Sequence, residues 1–210
     1  MSSSRLPGEG IFIAVTGPSG SGKTSVCKAL RAMFPRLRFS VSLTTRPRRP
    51  AEVDGEDYHF VSEAEFRERI RRGDLIEWAE NYGKLYGTSR EAMEEALRGN
   101  DLLLDVDTRG ARALKKACPG GIFVFIVPPS IGELERRLRG RGSETEETIR
   151  RRFDNALREI REIVWYDYII VNDELDAAID RLRAVYLAAA CRRERMMEKI
   201  KPFFDRSGGM

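Results

Sequence analysis

Histidine and cysteine are scarce in this chain of 210 residues, with one of the former and three of the latter. Cys27, Cys118 and Cys191 are odd in number and widely scattered, and they form no Cys-x-x-Cys pair or Cys/His cluster. That argues against a disulfide framework or a zinc site and leaves reduced structural thiols as the expectation. The one histidine, His59, alternates with strand-like neighbours in Tyr58-His59-Phe60-Val61 and reads as structural rather than as a general base. Long apolar runs are also missing. Ile11–Val15 and Ile122–Val127 fall far short of the roughly 20 residues that cross a bilayer. Met1-Ser-Ser-Ser-Arg-Leu-Pro has no apolar core for a secretory signal, so a soluble, cytoplasmic protein is expected.

What is present is a globular composition, 41% hydrophobic and 33% charged, which excludes disorder and collagen. The length suits one core with insertions. Lys and Arg outnumber Asp and Glu by 37 to 33, a net +4, and most of the cations are Arg. Arginine's planar fork suits phosphate and carboxylate, so a nucleotide or a nucleic acid fits this bias; solvated helix faces would also account for it.

Short apolar segments alternate with amphipathic ones. Strands are expected at Ile11–Val15, Arg38–Val41, Leu102–Val106, Ile122–Val127 and Tyr168–Val171, short runs rich in β-branched and aromatic residues of the kind expected in parallel strands buried on both faces. Helices are expected at Lys23–Phe34, Ser89–Leu97, Thr108–Ala117 and Ile131–Arg139, and from Leu175 through Ala189. The alternation predicts an α/β fold, a parallel sheet flanked by helices. Two stretches interrupt it. Residues 42–88 are polar and rich in Pro, Gly and Arg, and read as an inserted lobe with short strands such as Leu75–Ala79. From Arg137 to Glu162 the chain is mostly charged, as a polar helix with little apolar face would be. Both the Ser-rich start and the Ser207–Met210 end are expected to fray.

Gly17-Pro18-Ser19-Gly20-Ser21-Gly22-Lys23-Thr24 matches G-x-x-x-x-G-K-[ST] between an apolar strand and a helix, the context this motif requires. Its glycines let backbone N–H groups converge on phosphate oxygens at a helix N-terminus. Lys23 is placed to reach the β- and γ-phosphates, and Thr24 to ligate Mg²⁺. The motif indicates a nucleoside triphosphate without saying what is done with it. Asp107-Thr-Arg-Gly110 matches the D-x-x-G of GTPases, but no Asn-Lys-x-Asp follows to read guanine, so a GTPase is disfavoured.

Further along, Ser40-Val-Ser42-Leu-Thr-Thr45-Arg46-Pro-Arg48-Arg49 offers three arginines within four residues, enough to grip a phosphate. With the P-loop, this block and Gly55-x-Asp-Tyr58, Ile76-Glu77-Trp78-Ala79, Tyr86-Gly87-Thr88, Asp105-x-Asp107, Pro128-Pro-Ser130, Arg137-Leu-x-x-Arg141-Gly and Tyr168-x-x-Val171-Asn172-Asp173 stand in the order seen in guanylate kinases. The chain resembles that family over about residues 9 to 190.

The resemblance implies a fold with a P-loop core, a GMP-binding lobe at 42–88 and a lid at 135–162. It implies reversible transfer of the ATP γ-phosphoryl group to GMP, and to dGMP, giving ADP and GDP for guanine nucleotide recycling, with Mg²⁺ required. Residues matching Ser42, Arg46, Arg49, Tyr58 and Tyr86 would grip the GMP phosphate, and those matching Glu77, Thr88 and Asp107 would read guanine. Lid arginines matching Arg137, Arg141 and Arg152 would join Lys23 and Arg46 in stabilising the transferred charge. Asp105 would lie beside Thr24 and the Mg²⁺, and Asn172 near the adenine of ATP. ATP and GMP are the expected partners of a monomer or homodimer, with no nucleic acid and no membrane. Two departures stand out: Arg109 replaces a common glutamine, and Tyr82-Gly-Lys84 replaces the commoner His-Gly-Asn or Phe-Gly-Asn. Peptide-binding relatives without catalysis typically lose the P-loop lysine or the lid arginines, and this chain keeps both. A kinase for another acceptor would be expected to lose the guanine readers.

Overall fold

The computed structural model describes residues 10–81, 83–140 and 145–205. The Ser-rich start, Tyr82, Arg141 and the Ser207–Met210 end lie outside them. The central sheet holds β1 (Phe12–Thr16), β2 (Leu37–Phe39), β7 (Asp101–Asp105), β8 (Ile122–Val127) and β9 (Tyr168–Val171) in the order β2-β7-β1-β8-β9, every pairing parallel. Four of these strands match the expected segments to within a residue at each end, and the fifth, β2, starts one residue earlier and stops two short of Val41.

Side-chain alternation along β1 divides the core in two. Ile11, Ile13 and Val15 pack with Val26 and Leu30 of α1 (Lys23–Met33) and with Ile179 and Leu182 of α7 (Leu175–Ala190). Phe12 and Ala14 face the other way, onto Met93 of α3 (Arg90–Ala96), Leu114 of α4 (Thr108–Ala117) and Phe123. The inner strands β1, β7 and β8 are covered on both faces, which is why they read as nearly unbroken apolar runs. Edge strand β9 instead leaves Tyr168, Ile169 and Val171 exposed, against the expectation.

The polar stretch builds a second, mixed sheet in the order β4-β3-β6-β5, from β3 (Leu43–Thr44), β4 (His59–Phe60), β5 (Leu75–Asn81) and β6 (Lys84–Ser89). Its small core of Leu43, Phe66, Leu75 and Leu85 rests on α2 (Glu63–Arg72), which Ser62 caps by accepting from the Glu65 N–H at 3.1 Å. His59 lies exposed on β4.

Two differences from the sequence reading have physical reasons. The charged segment forms α6 (Glu146–Arg161), and it does carry an apolar face. Ile149, Phe153, Ala156 and Ile160 recur at helical spacing among the charges and pack on Leu134 and Leu138 of α5 (Ile131–Arg139). A final helix, α8 (Arg193–Asp205), follows where none was expected, because its charged first turn and internal Pro202 blur the periodicity. Arg195 ties it to Asp101 of β7 at 3.2 Å.

Candidate active site

Gly17, Gly20 and Gly22 all adopt positive φ, the backbone that turns successive N–H groups inward. Gly22 is the N-cap of α1 and brings no side chain to the cap; the first turn holds no acidic residue to offset the helix dipole. Ser21 Oγ is buried with no hydrogen-bond partner among the described residues. A cradle of oriented donors around an orphaned hydroxyl fits a polyphosphate.

The loop is braced from behind. Asn172, buried at the end of β9, donates its amide to the Ser21 carbonyl at 2.7 Å, and its backbone carbonyl accepts from Arg137 at 3.0 Å. A Cβ at Gly22 would collide with that same Asn172 amide, so the position requires glycine for space as well as for φ. Arg137 also donates to Glu133 at 2.6 Å and so stands beside the loop. Lys23 pairs with Asp105 at the end of β7. Burial opposes the Lys23 charge, but Asp105 outweighs it and holds the ammonium well above its usual range. Thr24 is exposed beside it.

The second sheet contributes two groups. The first is Arg46, whose fork binds Glu52 and whose Cζ lies 5.4 Å from the Tyr58 ring and 5.7 Å from Phe60. Tyr58 meets Tyr86 edge-on at 6.0 Å. Burial raises the Tyr58 hydroxyl pKa, with Asp105 adding and Lys23 opposing, so this tyrosine lies in the field of the P-loop charges. Ser42 is buried at the start of β3, while Arg49 is exposed.

The second group is a buried carboxylate. A register irregularity between Leu75 and Glu77 breaks the alternation of β5, so that Leu75, Ile76 and Glu77 are all buried. Glu77 stands opposite Thr88 of β6 and accepts its hydroxyl hydrogen bond at 2.6 Å. Its pKa is pushed up to about 7, by burial first and by nearby Asp107, against the stabilising Thr88 bond. Gly110 leaves room for this carboxylate, because a Cβ there would come within 2.6 Å of Glu77 Oε2. The glycine that makes Asp107–Gly110 look like a GTPase motif thus has a steric reason here. Asp107 itself lies beyond β7 as the N-cap of α4, accepting from the Gly110 N–H at 2.8 Å, so Asp105 and Asp107 serve different partners.

The structure therefore brings Lys23, Asp105, Asn172 and Arg137 together at the loop, Arg46, Tyr58 and Tyr86 at the second sheet, and Glu77, Thr88 and Asp107 between them. Arg152 is partly buried on α6. Sequence reasoning missed Glu159, also on α6. Its carboxyl is pushed up to about 7, first by burial, with Lys23 opposing and Asp107 adding. No motif flags it, because it is one glutamate in a charged helix.

A P-loop on a parallel sheet, facing a lobe that buries a carboxylate–hydroxyl pair, defines a P-loop kinase with a separate acceptor site. Comparison with known proteins narrows the class. A family model described as guanylate kinase matches residues 11–189. Guanylate kinase from Syntrophotalea carbinolica is 50% identical over 93% of this chain and 94% of its own, and that of Geobacter metallireducens 49% identical over 94% and 98%. The crystal structure of guanylate kinase from Anaplasma phagocytophilum superposes with a TM-score of 0.76 at 30% identity, covering 95% of this chain and 97% of its own. The chain belongs to the guanylate kinase family, enzymes that transfer a phosphoryl group from ATP to GMP.

Proposed function

We propose that this chain carries out that reaction with ATP in the P-loop cradle and GMP, or dGMP, on the second sheet. The observation that carries the reading is the buried Glu77–Thr88 pair. Ionised Glu77 accepts from guanine N1–H and N2–H, and the Thr88 hydroxyl, released from Glu77, donates to O6. Asp107, whose charge acts on Glu77, would share the amino group. Adenine presents a lone pair at N1 and an amino group at C6, so it would leave both protein groups unpaired in a buried site.

A GMP phosphate oxygen attacks the γ-phosphorus in line and the bond to the ADP oxygen breaks, so no protein nucleophile is needed. The protein contributes position and positive charge. Lys23 moves from Asp105 onto the β- and γ-phosphates; Arg46, Arg49, Ser42, Tyr58 and Tyr86 hold the acceptor phosphate; Arg137, Arg141 and Arg152 approach the transferred group as the lid closes. Thr24 and Asp105 offer hard oxygens suited to Mg²⁺, whose remaining positions the phosphates and water would fill. When bound, the ion offsets phosphate charge. Retention of Lys23, Arg137 and Arg152 favours catalysis over a peptide-binding role. Unpaired thiols, with Cys27 and Cys118 buried, support a reducing, cytoplasmic setting.

The test is ADP release from ATP with GMP, dGMP, AMP, CMP and UMP offered separately. Turnover confined to the guanine nucleotides is expected, and equal use of AMP would overturn the assignment.

A further inference from the structure

Glu52 belongs to no motif used above, yet it is the most engaged carboxylate of the second sheet's loops. Its own turn fixes it: its N–H donates to the Arg49 carbonyl at 3.0 Å, and the Arg49 N–H donates to its Oε2 at 2.9 Å. Onto this anchored carboxylate Arg46 closes a two-point fork, at 2.9 Å to Oε2 and 2.7 Å to Oε1, while the same guanidinium also donates to the Pro47 carbonyl at 2.9 Å. Both side chains are about 85% buried, at 15% and 16% exposure. Arg49 is by contrast 60% exposed and only 3.9 Å from Glu52.

A guanidinium is planar and carries five N–H donors, so fixing one edge fixes where the other points. Three of Arg46's donations are spent on Glu52 and Pro47. The guanidinium lies over the Tyr58 ring and within reach of the Tyr86 hydroxyl, so its remaining donors are held among the tyrosines of the acceptor site. We infer that Glu52 is a positioning residue for the acceptor site, holding the Arg46 fork in its phosphate-binding pose before GMP arrives. This rests on the reading of Arg46 as a ligand of the GMP phosphate. The opposite sign is physically available: a carboxylate in a phosphate site could compete with the acceptor for Arg46. Preorganisation prevails here because Glu52 is tied to its own backbone and leaves guanidinium donors turned to Tyr86, itself a group of the acceptor site, whereas a competitor would have to leave on binding.

Steady-state kinetics on the full chain decides it. Glu52→Ala is expected to raise KM for GMP roughly three- to tenfold, the cost of ordering one long side chain at binding. Its kcat should stay within about twofold and its KM for MgATP should not change, a split that general loosening of the fold would not give. Glu52→Gln keeps one acceptor oxygen and should show a smaller rise, and it carries the test if the alanine variant folds poorly. In an Arg46→Ala background, Glu52→Ala should add nothing. A fall in KM for GMP would overturn the inference in favour of competition. An undiminished Glu52→Ala effect without Arg46 would overturn the route through that residue. Arg46→Ala with unchanged KM for GMP would instead remove Arg46 from the phosphate site, and the inference with it.

Discussion

Replacing Glu77 by glutamine should make the protein more stable and a worse enzyme. Glutamine matches glutamate in shape and still accepts the Thr88 hydrogen bond, so it opens no cavity. What it removes is a charge held out of water. Burial lifts the Glu77 carboxyl from 4.5 to about 7, so the folded state keeps a proton that the unfolded chain has given up. The sign follows: stability is lost as pH rises from 4.5 towards 7, and above 7 the loss is complete. Relative to a neutral side chain, those two pKa values correspond to a penalty of about 1 kcal/mol at pH 5 and about 3 kcal/mol at pH 8. For a domain of this size each kcal/mol moves Tm by roughly 2 to 4 °C. Thermal melts should therefore place Glu77→Gln roughly 6 to 12 °C above the parent at pH 8, and only about a third as far at pH 5. The same variant, assayed at saturating MgATP, should lose most of its kcat/KM for GMP while its residual use of AMP falls little, because a hydrogen-bonding site of this kind discriminates by about 10⁴–10⁵. A variant that melts no higher at pH 8, or whose gain does not grow with pH, would refute the claim that a strained carboxylate is kept here for recognition. Full retention of the preference for GMP would remove Glu77 from base reading.

Lys23→Ala should leave the fold intact and cut turnover by about 10²–10³, the usual loss for one charge aimed at a developing anion; near-parental rates in a folded variant would end that role. Arg137→Ala and Arg141→Ala should lower kcat more than they raise KM for GMP, and the reverse pattern would move these residues to the acceptor site. Asn172→Ala leaves the Ser21 carbonyl unpaired and should cost about 1–3 kcal/mol of stability in urea melts, while raising KM for ATP and sparing that for GMP. With Glu77 titrating near 7, KM for GMP should be about tenfold higher at pH 6 than at pH 8, since only the ionised carboxylate accepts guanine's donors; a profile as steep in Glu77→Gln would assign the titration elsewhere.

The central sheet is legible in the sequence because parallel strands buried on both faces leave an unbroken apolar signature, as in Ile122–Val127. The P-loop is legible because its chemistry is local: eight consecutive residues carry the turn, the donors and the lysine. Glu77 is legible only by its place in the order of family blocks. Its burial arises from a break in strand alternation, and by period alone residues 75, 76 and 77 cannot share an environment. Asn172 is separated from Ser21 by 151 positions, so its hold on the loop appears only once β9 is in place. Glu52 is the instructive case, because it lies just six residues from Arg46 and was still invisible. Neither helical nor strand periodicity joins positions six apart across a turn. The pairing depends on backbone bonds between Arg49 and Glu52 that bend the chain back on itself. Residues that meet a ligand directly tend to recur as recognisable motifs, since the ligand dictates their type and order. Residues that act by holding another side chain are dictated by local geometry instead. For that reason the support of this site, more than its contact surface, had to be found in three dimensions.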